Sequence, residues 1–273
     1  MGIFSGVLLV SDLDGTVFNL AGELSEENAG ALRSFTAQGG RFTVATGRAI
    51  QAFEVPRRVV PINTPVILAN GALIYDYDAR TILHMTPLRD GYLPIARAVL
   101  ADFPHVAVEA HLPEGIWVMG KNEHLLLHQQ RIKVAITPTE TLSDIPASGW
   151  LKLLFTAAHD DLEALRDWLL PYCEGRYDLM FSHPFLLELQ DMRADKGGGA
   201  AWLAKHLGLS SEHVYCAGDY QNDLSMLTRY TSFAPRNAQP EVQAAVDRVG
   251  PHCDEHFMAW VVERLGERYR SDS

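Results

Sequence analysis

The stretch Gly6-Val7-Leu8-Leu9-Val10-Ser11-Asp12-Leu13-Asp14-Gly15-Thr16 decides the fold. Its first five residues form an uninterrupted apolar run, as expected for a strand buried on both faces of a parallel sheet. The run ends in a polar loop carrying two aspartates one residue apart and a glycine suited to a tight turn. In open α/β sheets, ligands bind beyond the carboxyl ends of the strands. Asp12 and Asp14 therefore read as a nucleophile and a second carboxyl placed beside one reacting centre.

Outward from this loop the chain alternates strand and helix. Ser25 can cap a helix whose first turn holds Glu26 and Glu27, and Gly39-Gly40 stops it. Arg41–Ala45 and Pro65–Ala69 read as short strands, and Ala72–Met85 as a hairpin. From about Pro87 to His183 the texture changes to helices separated by strand pairs. The predicted helices there are Tyr92–Phe103, Asn122–Ile132 and Asp160–Tyr172. The strands are Val106–His111, Ile116–Met119, Trp150–Thr156 and Leu179–Gln190. After Lys196 the alternation resumes, with a helix over Gly199–Leu207, a strand at Val214–Ala217, and helices starting at Asn222 and Pro240. The fold class is α/β: a Rossmann-like parallel-sheet core, residues 1–86 and 190–273, interrupted by an α+β cap domain at 87–189.

Composition narrows the function. The 273 residues carry a formal net charge of -11, which argues against a nucleic-acid or anionic-membrane partner. A phosphorylated ligand would also be repelled at long range, so its site needs local cations or a metal. Three widely spaced cysteines point to free thiols in a reducing compartment. The start lacks a signal-peptide pattern and no run is long enough to span a membrane, so the expected location is cytoplasmic.

Three further motifs follow the aspartate loop in order. Thr46-Gly47-Arg48 ends a strand, Lys196 sits in Asp195-Lys196-Gly197, and Gly218-Asp219-Tyr220-Gln221-Asn222-Asp223 follows another strand. Taken singly, Thr46 reads as a helix cap, Lys196 as a solvated charge, and Gly218–Asp223 as a turn capped by Asn222. Taken together, the four resemble the motif series of the haloacid dehalogenase superfamily. Asn70-Gly71, Met226-Leu227, Asn237-Ala238 and Pro240-Glu241-Val242 look like its Cof-like subfamily, whose α/β cap is inserted between the second and third motifs. One departure is Asp191-Met192-Arg193-Ala194-Asp195, where that group has a short Gly-Val-Ser/Asn lead-in.

The resemblance implies a phosphatase acting on a small phosphorylated metabolite, such as a sugar phosphate, through an aspartyl-phosphate on Asp12. It implies Asp14 as acid and base, Lys196 as charge partner, and Thr46 with Gly47 and Asn222 as phosphate contacts. It implies Mg2+ held by Asp12, the backbone carbonyl of Asp14, and Asp219, with Asp223 in support. The cap would select the substrate, with His111, Trp117, Lys152, His183 and Glu188 as candidates on its strands. Two alternatives are a phosphomutase on the same core and a catalytically silent metabolite-binding protein. Oligomeric state is not legible. His252-Cys253-Asp254-Glu255-His256 resembles a metal cluster but lacks a second ligand group, so a loop or helix start is expected there.

Overall fold

A computed structural model describes residues 2–132 and 134–271. Its first elements are β1 (Leu8–Ser11), α1 (Glu26–Ala37), β2 (Arg41–Val44), α2 (Ile50–Phe53), β3 (Val66–Leu68), β4 (Leu73–Asp76) and β5 (Thr81–Met85). Next come α3 (Tyr92–Asp102), β6 (Ala107–Leu112), β7 (Gly115–Met119), α4 (Glu123–Ile132), β8 (Thr137–Pro138), β9 (Lys152–Thr156), α5 (His159–Cys173), β10 (Tyr177–His183) and β11 (Leu186–Asp191). The chain ends with α6 (Lys196–His206), β12 (Val214–Ala217), α7 (Leu224–Leu227), β13 (Thr231–Ala234), α8 (Pro240–Ala245), β14 (Arg248–Val249) and α9 (Phe257–Ser271). These elements make two compact units. One runs through Gly47, over Glu54–His84 and from Asp195 onward; the other comprises Arg48–Phe53 and Met85–Ala194.

In the first unit a parallel sheet has the order β14-β13-β12-β1-β2, so β1 lies in its interior. That position explains the apolar run: every residue of β1 is buried. Ser25 caps α1 by accepting from the Asn28 N–H, and Gly39, at φ +92°, leads the chain out of it. α9 packs against α1, where the Ala259 N–H donates to the buried Asn28 side chain at 3.0 Å. The sequence predicts only a loop or helix start at His252 to His256, just ahead of this last helix.

The helix expected over Gly199–Leu207 in fact begins at Lys196, with Asp195 as its cap accepting from the Gly198 N–H at 2.8 Å. The run Gly197-Gly198-Gly199 reads as loop because glycine costs a helix about 1 kcal/mol per residue. Two of the three are required by close packing instead. A Cβ on Gly197 would enter the backbone at Ser225, and one on Gly199 would lie 2.7 Å from Ile67 Cγ2.

In the second unit a sheet has the order β10-β11-β9-β6-β7-β8. One face is mostly apolar: Val108, Ala110, Leu112, Leu153, Phe155, Leu187 and Leu189 pack in one core with residues of α3 and α5. The two ends of this unit are tied together by Asp191, which is fully buried. Its carboxylate accepts from Arg89 Nε and Nη2 at 3.0 Å each and from Arg193 Nε at 2.8 Å. Burial opposes the Asp191 charge, but the hydrogen bonds from Arg193 and Arg89 outweigh it and hold the carboxyl below its ordinary range. This clamp occupies the stretch where the sequence departs from the Cof-like lead-in.

Candidate active site

The Asp12 N–H donates to the Ala217 carbonyl at 2.8 Å, which pins the residue between the ends of β1 and β12. Asp12 is 8% exposed, and its carboxylate accepts from Lys196 Nζ at 2.6 Å. Lys196, the first residue of α6, is fully buried and donates also to Asp223 Oδ1 at 2.7 Å. A lysine that reads as a solvated charge in isolation is thus enclosed between two carboxylates from different loops. The other Asp223 oxygen accepts from the N–H groups of Asp219 and Tyr220 at 2.9 and 3.0 Å. Asp223 therefore both pairs with the lysine and shapes the loop that presents Asp219.

Asp219 accepts from Thr16 Oγ1 at 2.9 Å, joining this loop to the aspartate loop. Gly15 is needed here twice over. Its φ is +85°, and a Cβ would lie 2.6 Å from Asp219 Oδ2. Gly218 has the same necessity, since a Cβ there would lie 2.5 Å from the Asp223 carboxyl. Asn237 Nδ2 donates to the Gly15 carbonyl at 2.9 Å and holds the turn from its far side.

The electrostatics follow from burial. Above all, desolvation pushes the Asp12 carboxyl well above the ordinary carboxylate range; Lys196 opposes the shift, while Asp223, Asp219 and Asp14 add to it. Burial and then Asp223 push Asp219 up to about 7. For Lys196, burial disfavours the charge, but Asp12 and Asp223 more than restore it and hold the ammonium above its usual value. One cation thus serves a group of three carboxylates, Asp12, Asp219 and Asp223, each offering an oxygen within 4.8 Å of the others. An all-oxygen set with a charge deficit suits a hard divalent cation, and magnesium in particular binds through one or two carboxylates plus waters. The donor set fits the ion.

The remaining expected residues are spread around this centre. Thr46 is 2% exposed and its N–H donates to the Ile67 carbonyl at 2.9 Å. Gly47 and Asn222 meet at a residue outside the expected site, Asn70. A Cβ on Gly47 would lie 3.0 Å from Asn70 Oδ1, which also accepts from Asn222 Nδ2 at 3.1 Å. Asn70 is buried in a left-handed conformation at φ 50°. The pair Asn70-Gly71 was visible as a motif, but its bridging position arises only in three dimensions. Asp14 is exposed and lies outside the three-carboxylate group. Asn222 sits in a 3-10 turn (Gln221–Asp223) and does not cap a helix; the backbone there is held by Asp223.

The comparisons with known proteins agree with this geometry. Residues 9–261 match the model of the haloacid dehalogenase-like hydrolases. The chain belongs to that family. Its large α/β insertion makes it of the Cof-like kind. It is 28% identical over 250 residues to the HMP-PP phosphatase of Enterobacter sp. (strain 638), covering 90% of each chain. Among solved structures it is similar to a haloacid dehalogenase-like hydrolase from Bacteroides thetaiotaomicron, with TM-score 0.84, 27% identity and coverage of 95% of this chain and 99% of that one. A Thermotoga maritima structure shares the fold at TM-score 0.82 and 23% identity, over 94% of this chain and 97% of that one.

A second group, His252, Cys253 and Asp254, also brings three potential ligands together. His252 accepts from the Asp254 N–H and caps a short turn (Cys253–Glu255) ahead of α9. Burial, with Asp254 nearby, pushes the Cys253 thiol up to about 11. The cluster is accounted for as the start of the last helix. Among the described residues, no helix is long and apolar enough to cross a membrane.

Proposed function

We propose that this family member is a magnesium-dependent phosphatase that hydrolyses a small phosphorylated metabolite through an aspartyl-phosphate on Asp12. It is a phosphoric monoester hydrolase, in keeping with the family and with the name of its HMP-PP phosphatase relative. The observation that carries the reading is the buried Lys196 held between Asp12 and Asp223, with Asp219 in the same carboxylate group. A buried, oriented carboxylate beside a fixed cation is what nucleophilic attack on a phosphate dianion requires.

Lys196 engages Asp12 Oδ1, which leaves Oδ2 to attack phosphorus. The new O–P bond forms in line as the ester O–P bond breaks, and Asp14 protonates the departing alcohol. Asp14 then takes a proton from water as it attacks the aspartyl-phosphate, releasing inorganic phosphate and restoring Asp12. Thr46 and Gly47 hydrogen-bond phosphate oxygens, with Asn222 oriented from behind by Asn70. Asp12, Asp219 and the Asp14 carbonyl, with Asp223 in support, would hold magnesium, which would supply the charge neutralisation that lets anion meet anion. The inserted unit selects the substrate, a sugar phosphate or related monoester. The buried free cysteines support a cytoplasmic location, where thiols stay reduced.

Hydrolysis of p-nitrophenyl phosphate tests the core of this reading. Activity should vanish in excess chelator and return with magnesium, and Asp219→Ala should raise the magnesium requirement strongly or abolish turnover. Full activity in chelator, or an unchanged metal titration for the variant, would remove the assigned roles of Asp12 and Asp219.

A further inference from the structure

The segment after β13 touches both loops that present the carboxylate group of the first unit. Asn237 Nδ2 donates to the Gly15 carbonyl at 2.9 Å, and the Gln239 N–H donates to the Asp219 carbonyl at 3.0 Å. The segment is itself held in place. Its Arg236 N–H donates to the Pro251 carbonyl at 3.1 Å. From α8, Gln243 Nε2 donates to the carbonyls of Arg236 and Ala238 at 3.0 and 2.8 Å. All of these groups belong to one unit.

The Asn237 amide can sit only one way round. Its Oδ1 accepts from the Cys253 N–H at 2.9 Å, so an N–H on one side requires the oxygen and a carbonyl on the other requires the NH2 group. The Leu20 N–H, further along the aspartate loop, donates to Asp254 Oδ1 at 2.9 Å. The short turn before α9 thus holds that loop twice, at Leu20 directly and at Gly15 through Asn237. Within the loop, the Phe18 N–H takes the Leu13 carbonyl at 2.8 Å, while Asn237 takes that of Gly15. The peptide groups on either side of the Asp14 carbonyl are therefore both fixed, and the direction of that carbonyl with them. Gly15 is the joint that would otherwise turn, because glycine opens many backbone conformations to the chain.

We infer that Asn237 is a positioning residue for the divalent cation, setting the ion's affinity by fixing the Asp14 carbonyl through Gly15. Two residues on, the Gln239 N–H does the same for the backbone of Asp219. Groups that orient metal ligands contribute about 10–100-fold in metal affinity. A residue that only stabilised the fold would lower the melting temperature and leave that affinity alone. The inference rests on the magnesium reading above, and its test separates the two.

Manganese is the probe, since the EPR signal of the free ion reports its binding to the full chain without substrate or turnover. Asn237→Asp keeps an oxygen for the Cys253 N–H and sets a second oxygen against the Gly15 carbonyl. It should weaken manganese binding by about tenfold or more, although the added negative charge alone would tighten it. Asn237→Ser, shorter and neutral, should weaken binding in the same sense, and is read alone if the aspartate variant does not fold. Asn63 supplies the matched control. Its amide also bridges an N–H and a carbonyl, those of Phe42 and Gly40, at 2.8 and 2.9 Å. Asn63→Asp should leave manganese affinity unchanged. In turnover of p-nitrophenyl phosphate, the Asn237 variants should need more magnesium for half-activation by the same factor, with kcat little changed once magnesium saturates. Unchanged or tighter manganese binding in the Asn237 variants, or an equal loss in Asn63→Asp, would overturn the inference and leave the magnesium reading standing. A wild-type chain that binds no manganese would overturn both.

Discussion

Among the described residues two lysines are buried against carboxylates, and they teach different things. Lys196 starts a helix in the first unit and is shared by Asp12, directly after β1, and Asp223, in the 3-10 turn that follows β12. Lys152 starts β9 in the second unit and pairs with Glu188 across the neighbouring strand β11. Around Lys196 the polar groups are locked by backbone N–H donors and by glycines that no larger residue could replace. Around Lys152 several polar atoms are left without partners. The first arrangement fixes one geometry for chemistry; the second holds its polar atoms less completely.

Removing each lysine is the strongest way to break the comparison. Lys196→Met leaves two buried carboxylates without their cation, and breaking a buried pair costs about 3–5 kcal/mol. It should also cut turnover of p-nitrophenyl phosphate by at least about 10³-fold, at the upper end of what a single electrostatic group contributes. Lys152→Met leaves Glu188 uncompensated and should lower stability comparably, while turnover falls less than about tenfold. Melting curves and steady-state rates on the two variants decide it. Comparable losses of turnover would show that the second cluster takes part in the same chemistry.

Asp14 sharpens the comparison within the first unit, because it is exposed whereas Asp12 and Asp223 are buried and Asp219 is half-buried. A sugar alkoxide needs a proton as it leaves, whereas p-nitrophenolate leaves unaided. Asp14→Asn should therefore slow single-turnover phosphorylation of the enzyme by about 10²–10⁴-fold for a sugar phosphate and far less for p-nitrophenyl phosphate. Dephosphorylation should slow equally for both, since the intermediate is common to them. Equal slowing of the first step would make Asp14 a structural residue.

The first cluster was legible in the chain because its residues sit in contiguous motifs at strand ends. Asp12 and Asp14 could be named from local pattern, whereas Lys196, Asp219 and Asp223 stood out only through the order of the four motifs and the family it resembles; β12 falls on Val214–Ala217 as read. What local pattern could not supply was the joining of loops. Asn70 bridging Gly47 to Asn222, Thr16 holding Asp219, and Asn237 bracing Gly15 each depend on contacts remote in sequence. The start of α6 was misplaced for a related reason, since glycines chosen for close packing look like loop until their neighbours are known. In the second unit, alternation on β6, β9 and β11 is masked because both faces are buried. A run such as Ala107-Val108-Glu109-Ala110-His111-Leu112 does not announce that its polar residues share a face with Lys152 and Glu188. His111, Lys152 and Glu188 were visible as candidates, whereas Glu109 and His128 required the register and the packing of α4.

The smallest effect expected separates the two clusters by pH. In the second unit the groups facing Glu109 are His111, His128, Lys152 and Glu188. Burial raises Glu109 from 4.5 to about 7, so between these values the folded chain holds a proton that the unfolded chain has released. Its contribution to stability is therefore complete below about pH 4.5 and is lost as pH rises through about 7. Burial lowers His111 to about 3 and lowers His128 in the same sense, so those two contributions grow as pH rises toward 6.5. The opposed trends mask each other in the wild-type chain over the middle of the range. Glu109→Gln removes one of them. The stability difference, wild type minus variant, should fall by on the order of 3 kcal/mol between pH 4.5 and 7.5, at 1.36 kcal/mol per pKa unit. Urea unfolding followed by tryptophan fluorescence measures it, since Trp117, Trp150 and Trp168 all lie in this unit. A difference that stays flat with pH would mean that Glu109 is ionised throughout. Its carboxylate would then have a cationic partner, and the contrast with the aspartate cluster would fail.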